Sequence, residues 1–340
     1  MPSEYYRPLL QTDMARPNDA VTLASGWTWF NRVEILTRSA DPVQIPAADL
    51  PVPVLKALSA PRAACAGLDW TRPNLMGIVN TTPDSFSDGG AFLATNDAVT
   101  QATRLKEEGA DILDIGGEST RPGAETVDSA QEVARTQPVI AALTKAGVGP
   151  ISIDTRKAVV GAAAVEAGAQ MINDVAAFTY DATLADVAAK ADVPVCIMHA
   201  KGQPKDMQRA PQYSDVLLDV YDFLEARIEA CLAAGIARDR IVVDPGIGFG
   251  KTLEHNLTLL RGLAVFHALG CPVLLGASRK RFIGTLTNTP DAADRMPGTL
   301  AVTLQGYAQG VQLHRVHDIL PAKQALDITE AVVRGRSEHD

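Results

Sequence analysis

From Leu75 onward, short apolar runs alternate with longer amphipathic, alanine-rich stretches. The runs are Leu75–Asn80, Ile112–Ile115, Ile151–Asp154, Met171–Asn173, Val195–Met198, Ile241–Val243, Val273–Leu275 and Leu313–Val316. Apolar runs this short, bounded by turn residues, predict buried strands. Between them a helical period marks Asp97–Glu108, Asp128–Ala146, Lys157–Ala167, Tyr213–Ala234, Leu253–Leu269 and Thr299–Gln309. Gly109, Gly147, Gly168, Gly235, Gly270 and Gly310 stand just before strands, where glycine accepts the left-handed conformation that closes a helix. The eight strands recur about every 34 residues, the length of a parallel β-α unit. Eight such units predict an α/β protein with a (β/α)8 TIM barrel; a doubly wound open sheet is the alternative.

Residues 1–70 lack a strong period and carry scattered prolines together with Trp27 and Trp29. Val21–Leu23 and Val33–Thr37 read as short strands there. The expected division is an N-terminal extension over 1–70, weakly structured or packed on the barrel, and a barrel over 71–340.

Composition narrows the function classes. A net charge of -9 argues against a general nucleic-acid binder, which needs a basic face, and leaves room for a local cationic pocket. No apolar run reaches the roughly 18–20 residues that span a bilayer. The N-terminus has no basic region followed by an apolar stretch, so no secretory signal is read there. Cys65, Cys196, Cys231 and Cys271 show no C-x-x-C spacing, which fits reduced thiols in a cytoplasmic protein.

The residues following each strand carry the chemistry, because barrels build their sites at the C-terminal strand ends. Asn80-Thr-Thr-Pro-Asp-Ser-Phe-Ser-Asp-Gly-Gly90 follows the first strand. Asp114 leads to Gly116-Gly-Glu-Ser-Thr-Arg-Pro-Gly123. The next strands end at Asp154, Asn173-Asp174 and Met198-His199. Asp244-Pro-Gly-Ile-Gly-Phe-Gly-Lys251, Gly276-Ala-Ser-Arg-Lys280 and Arg315-Val-His317-Asp318 complete the series. Asp114, Asp154, Asn173 and Asp244 would form a ring of acceptors suited to a heterocycle with several N–H donors. Arg121, Arg279, Lys280, Arg315 and His317 would gather cations for an anionic, phosphorylated group beside it.

Each position also has a plainer reading. Asp114 or Asp154 alone fits a buried strand-end carboxylate, and Asn173-Asp174 fits a turn and helix cap. His199 alone fits a satisfied core histidine, while His255 and His267 fall on a helical pattern. Gly246–Thr252 suggests a phosphate-binding P-loop, but Pro245 stands where that motif needs glycine. Phe249 reads instead as an aromatic able to cover a flat ligand ring. The plain readings weaken when all eight strand ends must be explained together.

These loops resemble the dihydropteroate synthase family over about residues 74–334. The resemblance implies that a dihydropterin bearing a hydroxymethyl pyrophosphate condenses with 4-aminobenzoate to give dihydropteroate and pyrophosphate. It implies that Asp114, Asp154, Asn173, Met198, Asp244, Lys280 and Arg315 hold the pterin. Thr120, Arg121, Pro122, Phe249, Ser278 and Lys280 would form the aminobenzoate site. Asn80, Arg121, Arg315 and His317 would hold pyrophosphate, with Mg2+ at Asn80. Asp154, Lys280, Arg121 and Asn80 would form the catalytic set, and the loops after the first two strands would close over it.

A homodimer through the late barrel helices is also implied. Thr81, Ala200, Lys201 and Ile247 depart from the family pattern. The uninterrupted Gly248-Phe249-Gly250 implies sulfonamide sensitivity. Two competing readings are a pterin-dependent methyltransferase, disfavoured by the phosphate-binding cations, and a degenerate pterin-binding protein, disfavoured by the intact Asp154, Lys280 and Thr120-Arg121-Pro122.

Overall fold

The computed structural model describes residues 3–81, 90–119, 123–202 and 207–335. Eight parallel strands form the centre: β6 (Asn74–Asn80), β7 (Ile112–Gly116), β8 (Ile151–Asp154), β9 (Met171–Asp174), β10 (Val195–Met198), β11 (Ile241–Asp244), β12 (Leu274–Leu275) and β13 (Leu313–Val316). They pair in the order β11-β10-β9-β8-β7-β6-β13-β12. A parallel bridge between Val243 and Val273 joins the two ends, so the sheet closes as a barrel. The open-sheet alternative is thereby set aside.

The two-residue period of a strand sorts the side chains. Leu113, Ile115, Ile153, Ile172, Ile197 and Val243 pack outward in the main apolar core beneath the helices. Met76, Ile112, Met171, Cys196, Val242, Leu274 and Leu313 instead join Cys65, Leu68 and Trp70 in a separate buried cluster. That cluster fills the barrel near the N-terminal strand ends. Two residues further along, about 7 Å at the rise of a strand, the same face presents Asp114, Asn173, Met198, Asp244 and Arg315.

The surrounding helices include α2 (Gly90–Glu107), α3 (Ser129–Lys145), α4 (Ala158–Glu166), α5 (Thr183–Ala191), α6 (Val216–Ala233) and α7 (Leu253–Arg261). α8 (Arg281–Thr287), α9 (Met296–Ala308) and α10 (Ile319–Arg334) complete the ring. α5, α8 and α10 are additions to the sequence expectation. The stretch Leu253–Leu269 is also not one helix. It stops at Gly262, where the missing side chain leaves room for Leu217 of α6, and continues as a 3-10 segment, Leu263–Leu269.

The first 70 residues form more structure than two short strands. β1 (Tyr5–Pro8), β4 (Arg32–Leu36) and β5 (Val43–Pro46) make an antiparallel sheet, and β2 (Val21–Thr22) pairs with β3 (Trp29–Phe30). With α1 (Val52–Ser59) they enclose Leu23, Phe30, Val33, Leu50 and Leu58. The unit is fastened to the barrel's flank. Trp27 stacks on Tyr307 with ring centres 5.3 Å apart, and its indole N–H donates to the Tyr307 carbonyl at 2.9 Å. Tyr5 meets Tyr221 edge-on and donates to Asp222 at 2.8 Å. Arg38 bridges Asp219 and Asp222 of α6.

Trp27 is the buried anchor of this contact, whereas Arg38 is half-exposed. Trp27→Ala is expected to lower stability by about 3–5 kcal/mol, and Arg38→Ala by less than about 1 kcal/mol. Urea unfolding followed by far-UV circular dichroism measures both.

Candidate active site

Arg315 organises the mouth of the barrel. Its Nε donates to Asp114 Oδ2 at 2.6 Å and its Nη2 to Asp154 Oδ2 at 2.8 Å. Asn173 Nδ2 donates to the same Asp114 oxygen at 3.0 Å. Strand register makes this possible. Ile78 pairs with Asp114, Asp154 with Asn173, and Arg315 with Met76, so the four side chains come from neighbouring staves. Asp114, Asp154 and Asn173 are buried. Oδ1 of Asp114 and Oδ1 of Asp154 have no donor among the described residues. Buried acceptors without donors are costly, so two oxygens here stand ready for ligand N–H groups.

The local electrostatics follow from burial. Burial pushes the Asp154 carboxyl up to about 7, against the pull of Arg315. Asp244 is raised for the same reason, despite Lys280 nearby and a hydrogen bond from Gly246 N at 2.6 Å. Burial opposes the Arg315 charge, but Asp114 and Asp154 outweigh it and hold the guanidinium protonated. Lys280 falls to about 7, chiefly by burial of its ammonium group. Its Nζ donates to the Ile247 carbonyl and lies 4.4 Å from the centre of the Phe249 ring.

The other candidate residues stand around this ring. Met198 is buried on the inward face of β10, beside Asp244 in register. Ser278 Oγ accepts from His317 N at 3.2 Å and pairs with His317 Nδ1 at 2.9 Å, tying the loops after β12 and β13. Asn80 ends β6, half-buried and in register with Gly116. The neighbouring Thr81 donates its hydroxyl to the Gly116 carbonyl at 3.1 Å, which satisfies a polar group at a departure from the family pattern. Ile247 is buried, Ala200 half-buried, and Lys201 sits over the Tyr213 ring. Thr120, Arg121 and Pro122, and most of the first loop, lie outside the described residues.

Several further residues have internal partners, among them Arg279, which the sequence placed with the anion-binding cations. Glu118 receives Arg156 at 3.0 Å, Lys157 at 3.0 Å and Val127 N at 3.2 Å, linking the two ends of the second loop. Arg279 pairs with both oxygens of Asp318. His199 is a buried, partnered histidine, packed edge-on against Phe223 and held by Lys251. Asp174 accepts from Ala176 N and Phe178 N, as a turn-capping residue does. His255 completes the capping box of α7, and His267 is buried against the Gln309 carbonyl. Glu118 and Arg279 lie within the quoted motifs, but nothing local in the sequence marks their partners.

Arg315→Met would leave two buried carboxylates without a countercharge. A destabilisation of about 3–5 kcal/mol is expected at pH 8. The folded-state carboxyl is already raised to about 7, so its favourable contribution is complete at low pH and lost as pH rises through that value. Removing Arg315 raises it further, and the deficit should shrink at pH 5. Denaturant unfolding of both proteins at pH 5 and pH 8 checks the sign.

Comparison with known proteins places this geometry in a family. The pterin binding enzyme family matches residues 76–317. A dihydropteroate synthase of Neisseria meningitidis serogroup C is 49% identical over 269 residues, covering 78% of this chain and 94% of its own. The Escherichia coli K12 dihydropteroate synthase is 42% identical, covering 79% and 95%. The Yersinia pestis dihydropteroate synthase in complex with a sulfonamide drug superposes with a TM-score of 0.75 at 43% identity, covering 81% and 99%. The Xanthomonas albilineans dihydropteroate synthase with 4-aminobenzoic acid gives 0.74 at 48%, covering 79% and 96%. The chain belongs to the pterin-binding enzymes and, within them, to the dihydropteroate synthases.

Proposed function

We propose that the chain is a transferase that condenses 6-hydroxymethyl-7,8-dihydropterin pyrophosphate with 4-aminobenzoate, giving 7,8-dihydropteroate and pyrophosphate. The observation that carries this reading is the buried Asp114–Arg315–Asp154 arrangement with its two unpartnered carboxylate oxygens. A pterin ring offers N–H donors to such oxygens and a carbonyl to Asn173 or Lys280. Met198 lines the same pocket and Asp244 closes it.

The mechanism follows from these placements. Pyrophosphate leaves the pterin methylene, and the ring delocalises the resulting cation. Asp154 stands where its carboxylate offsets that charge. The aniline nitrogen of 4-aminobenzoate is a neutral nucleophile that attacks the methylene and then loses a proton to solvent. Phe249 and Lys280 flank that substrate, with Thr120, Pro122 and Ser278 completing its site. Arg121, Arg315 and His317 receive the pyrophosphate, and Arg315 does so while holding the two carboxylates. By the family resemblance the loops after β6 and β7, largely outside the described residues, would shield the reaction from bulk water.

Mg2+ fits the residues present. Among the described residues no three His, Cys, Asp or Glu side chains converge on a protein-only metal cage. The amide oxygen of Asn80 suits a hard cation that keeps water and substrate phosphate oxygens. Bound there, Mg2+ would neutralise charge on the leaving group.

One feature supports an assembly. Leu286 of α8 and Leu320, Ile328 and Val332 of α10 are exposed apolar residues on the late barrel helices, where a homodimer would pack. Among the described residues no helix is long and apolar enough to cross a membrane. A cytoplasmic enzyme of small molecules, with no nucleic-acid or membrane partner, is the reading we propose beside this.

Joint, Mg2+-dependent formation of dihydropteroate and pyrophosphate from the two substrates is the expected result. Sulfamethoxazole should compete with 4-aminobenzoate. Pterin binding without turnover would favour a binding protein instead. Light scattering of the 36.0 kDa chain should give the mass of two copies, and Ile328→Glu with Val332→Glu should give one.

A further inference from the structure

The glycine loop Gly246–Gly250 has every one of its backbone carbonyls taken by a side chain. Lys251 Nζ donates to Gly246 O at 2.8 Å and Phe249 O at 3.1 Å. Lys280 Nζ donates to Ile247 O. Gln208 Nε2 donates to Gly248 O at 2.5 Å, and Tyr213 Oη to Gly250 O at 2.7 Å. Gly246, Gly248 and Gly250 all have positive φ, and a side chain at Gly246 would collide with the His199 carbonyl. The backbone is therefore curled, with the Gly246 and Phe249 carbonyls turned inward on Lys251.

Lys251 is 3% exposed. Its amino group also touches His199 O at 3.2 Å and Nδ1 at 2.9 Å. None of these partners is a carboxylate. A buried lysine amine held by three carbonyls and the His199 ring costs desolvation that an apolar side chain would avoid, and burial pushes its pKa well below the usual lysine value. It therefore serves geometry: one amino group fixes the loop carrying Phe249 to the strand end carrying Met198 and His199. Phe249 in turn rests 4.4 Å from Lys280 Nζ.

We infer that Lys251 is a positioning residue for the arene substrate, an internal amino group around which the glycine loop is wrapped so that Phe249 faces Lys280. Tyr213 supports the same loop from outside. This rests on the reading of Phe249 as a wall of the 4-aminobenzoate site. It predicts an effect weighted to one substrate. Met198, Asp244 and Lys280 adjoin the loop, but the pterin partners Asp114, Asp154, Asn173 and Arg315 on β7, β8, β9 and β13 are held by one another. Phe249, by contrast, rides on the loop that Lys251 holds.

The test uses the full chain with Lys251→Met, varying each substrate in turn. The KM for 4-aminobenzoate should rise about tenfold or more, while that for the pterin pyrophosphate stays within about threefold. Tyr213→Phe removes only the donor to Gly250 O and should move the same constant about threefold in the same direction. Should Lys251→Met fail to fold, as judged by circular dichroism, Tyr213→Phe decides alone. Equal shifts in both constants, no shift, or a shift confined to the pterin would overturn the inference while leaving a working synthase. A wild-type chain that forms no dihydropteroate would overturn the proposed function and this inference with it.

Discussion

One guanidinium sets the terms for the rest of the site. Arg315 lies inside a barrel mouth beside two buried carboxylates, and neither charge is tolerable there without the other. Their pairing uses one oxygen of each carboxylate and leaves the second without a donor among the described residues. The fold thus holds an unsatisfied arrangement that a ligand completes. Polar groups at this depth are affordable because the layer beneath them is sealed by Trp70, Leu68 and the inward apolar residues of seven strands.

The separation of those layers is a matter of strand period. Ile112 and Asp114, Met171 and Asn173, Val242 and Asp244, and Leu313 and Arg315 each stand two residues apart on one face. The lower member plugs the barrel and the upper member faces the ligand. A one-residue slip in any stave would send the acceptor outward among the helices.

This regularity is why the barrel was legible in the sequence. The eight apolar runs marked eight strands because both faces of each strand are buried, one by helices and one by the plug. The ring of Asp114, Asp154, Asn173 and Asp244 was legible because strand ends become site positions once a barrel is assumed. The extension was not legible in the same way. β1 pairs with β4 across the intervening residues 9–31, and its strand contains Arg7 and Pro8 rather than an alternating pattern. Its docking depends on Tyr5, Trp27 and Arg38 meeting α6 and α9, contacts between residues roughly 180 to 280 apart in sequence. Lys251 was visible beside the glycine loop, but two of its partners come from a curl of that loop's backbone and two from His199, 52 residues earlier, and no spacing announces either. Leu253–Leu269 shows the reverse failure, where a helical period ran through a glycine whose role is set by a neighbouring helix.

The central claim is that the two unpartnered oxygens of Asp114 and Asp154 recognise the N–H donors of a pterin. Titration calorimetry of the full chain with 6-hydroxymethylpterin, and with its analogue bearing an oxo group in place of the ring amino group, tests this most directly. The account predicts that the analogue binds about a hundredfold more weakly, because it sets an acceptor or removes a donor where buried acceptors wait. Equal affinity for the two compounds would contradict it.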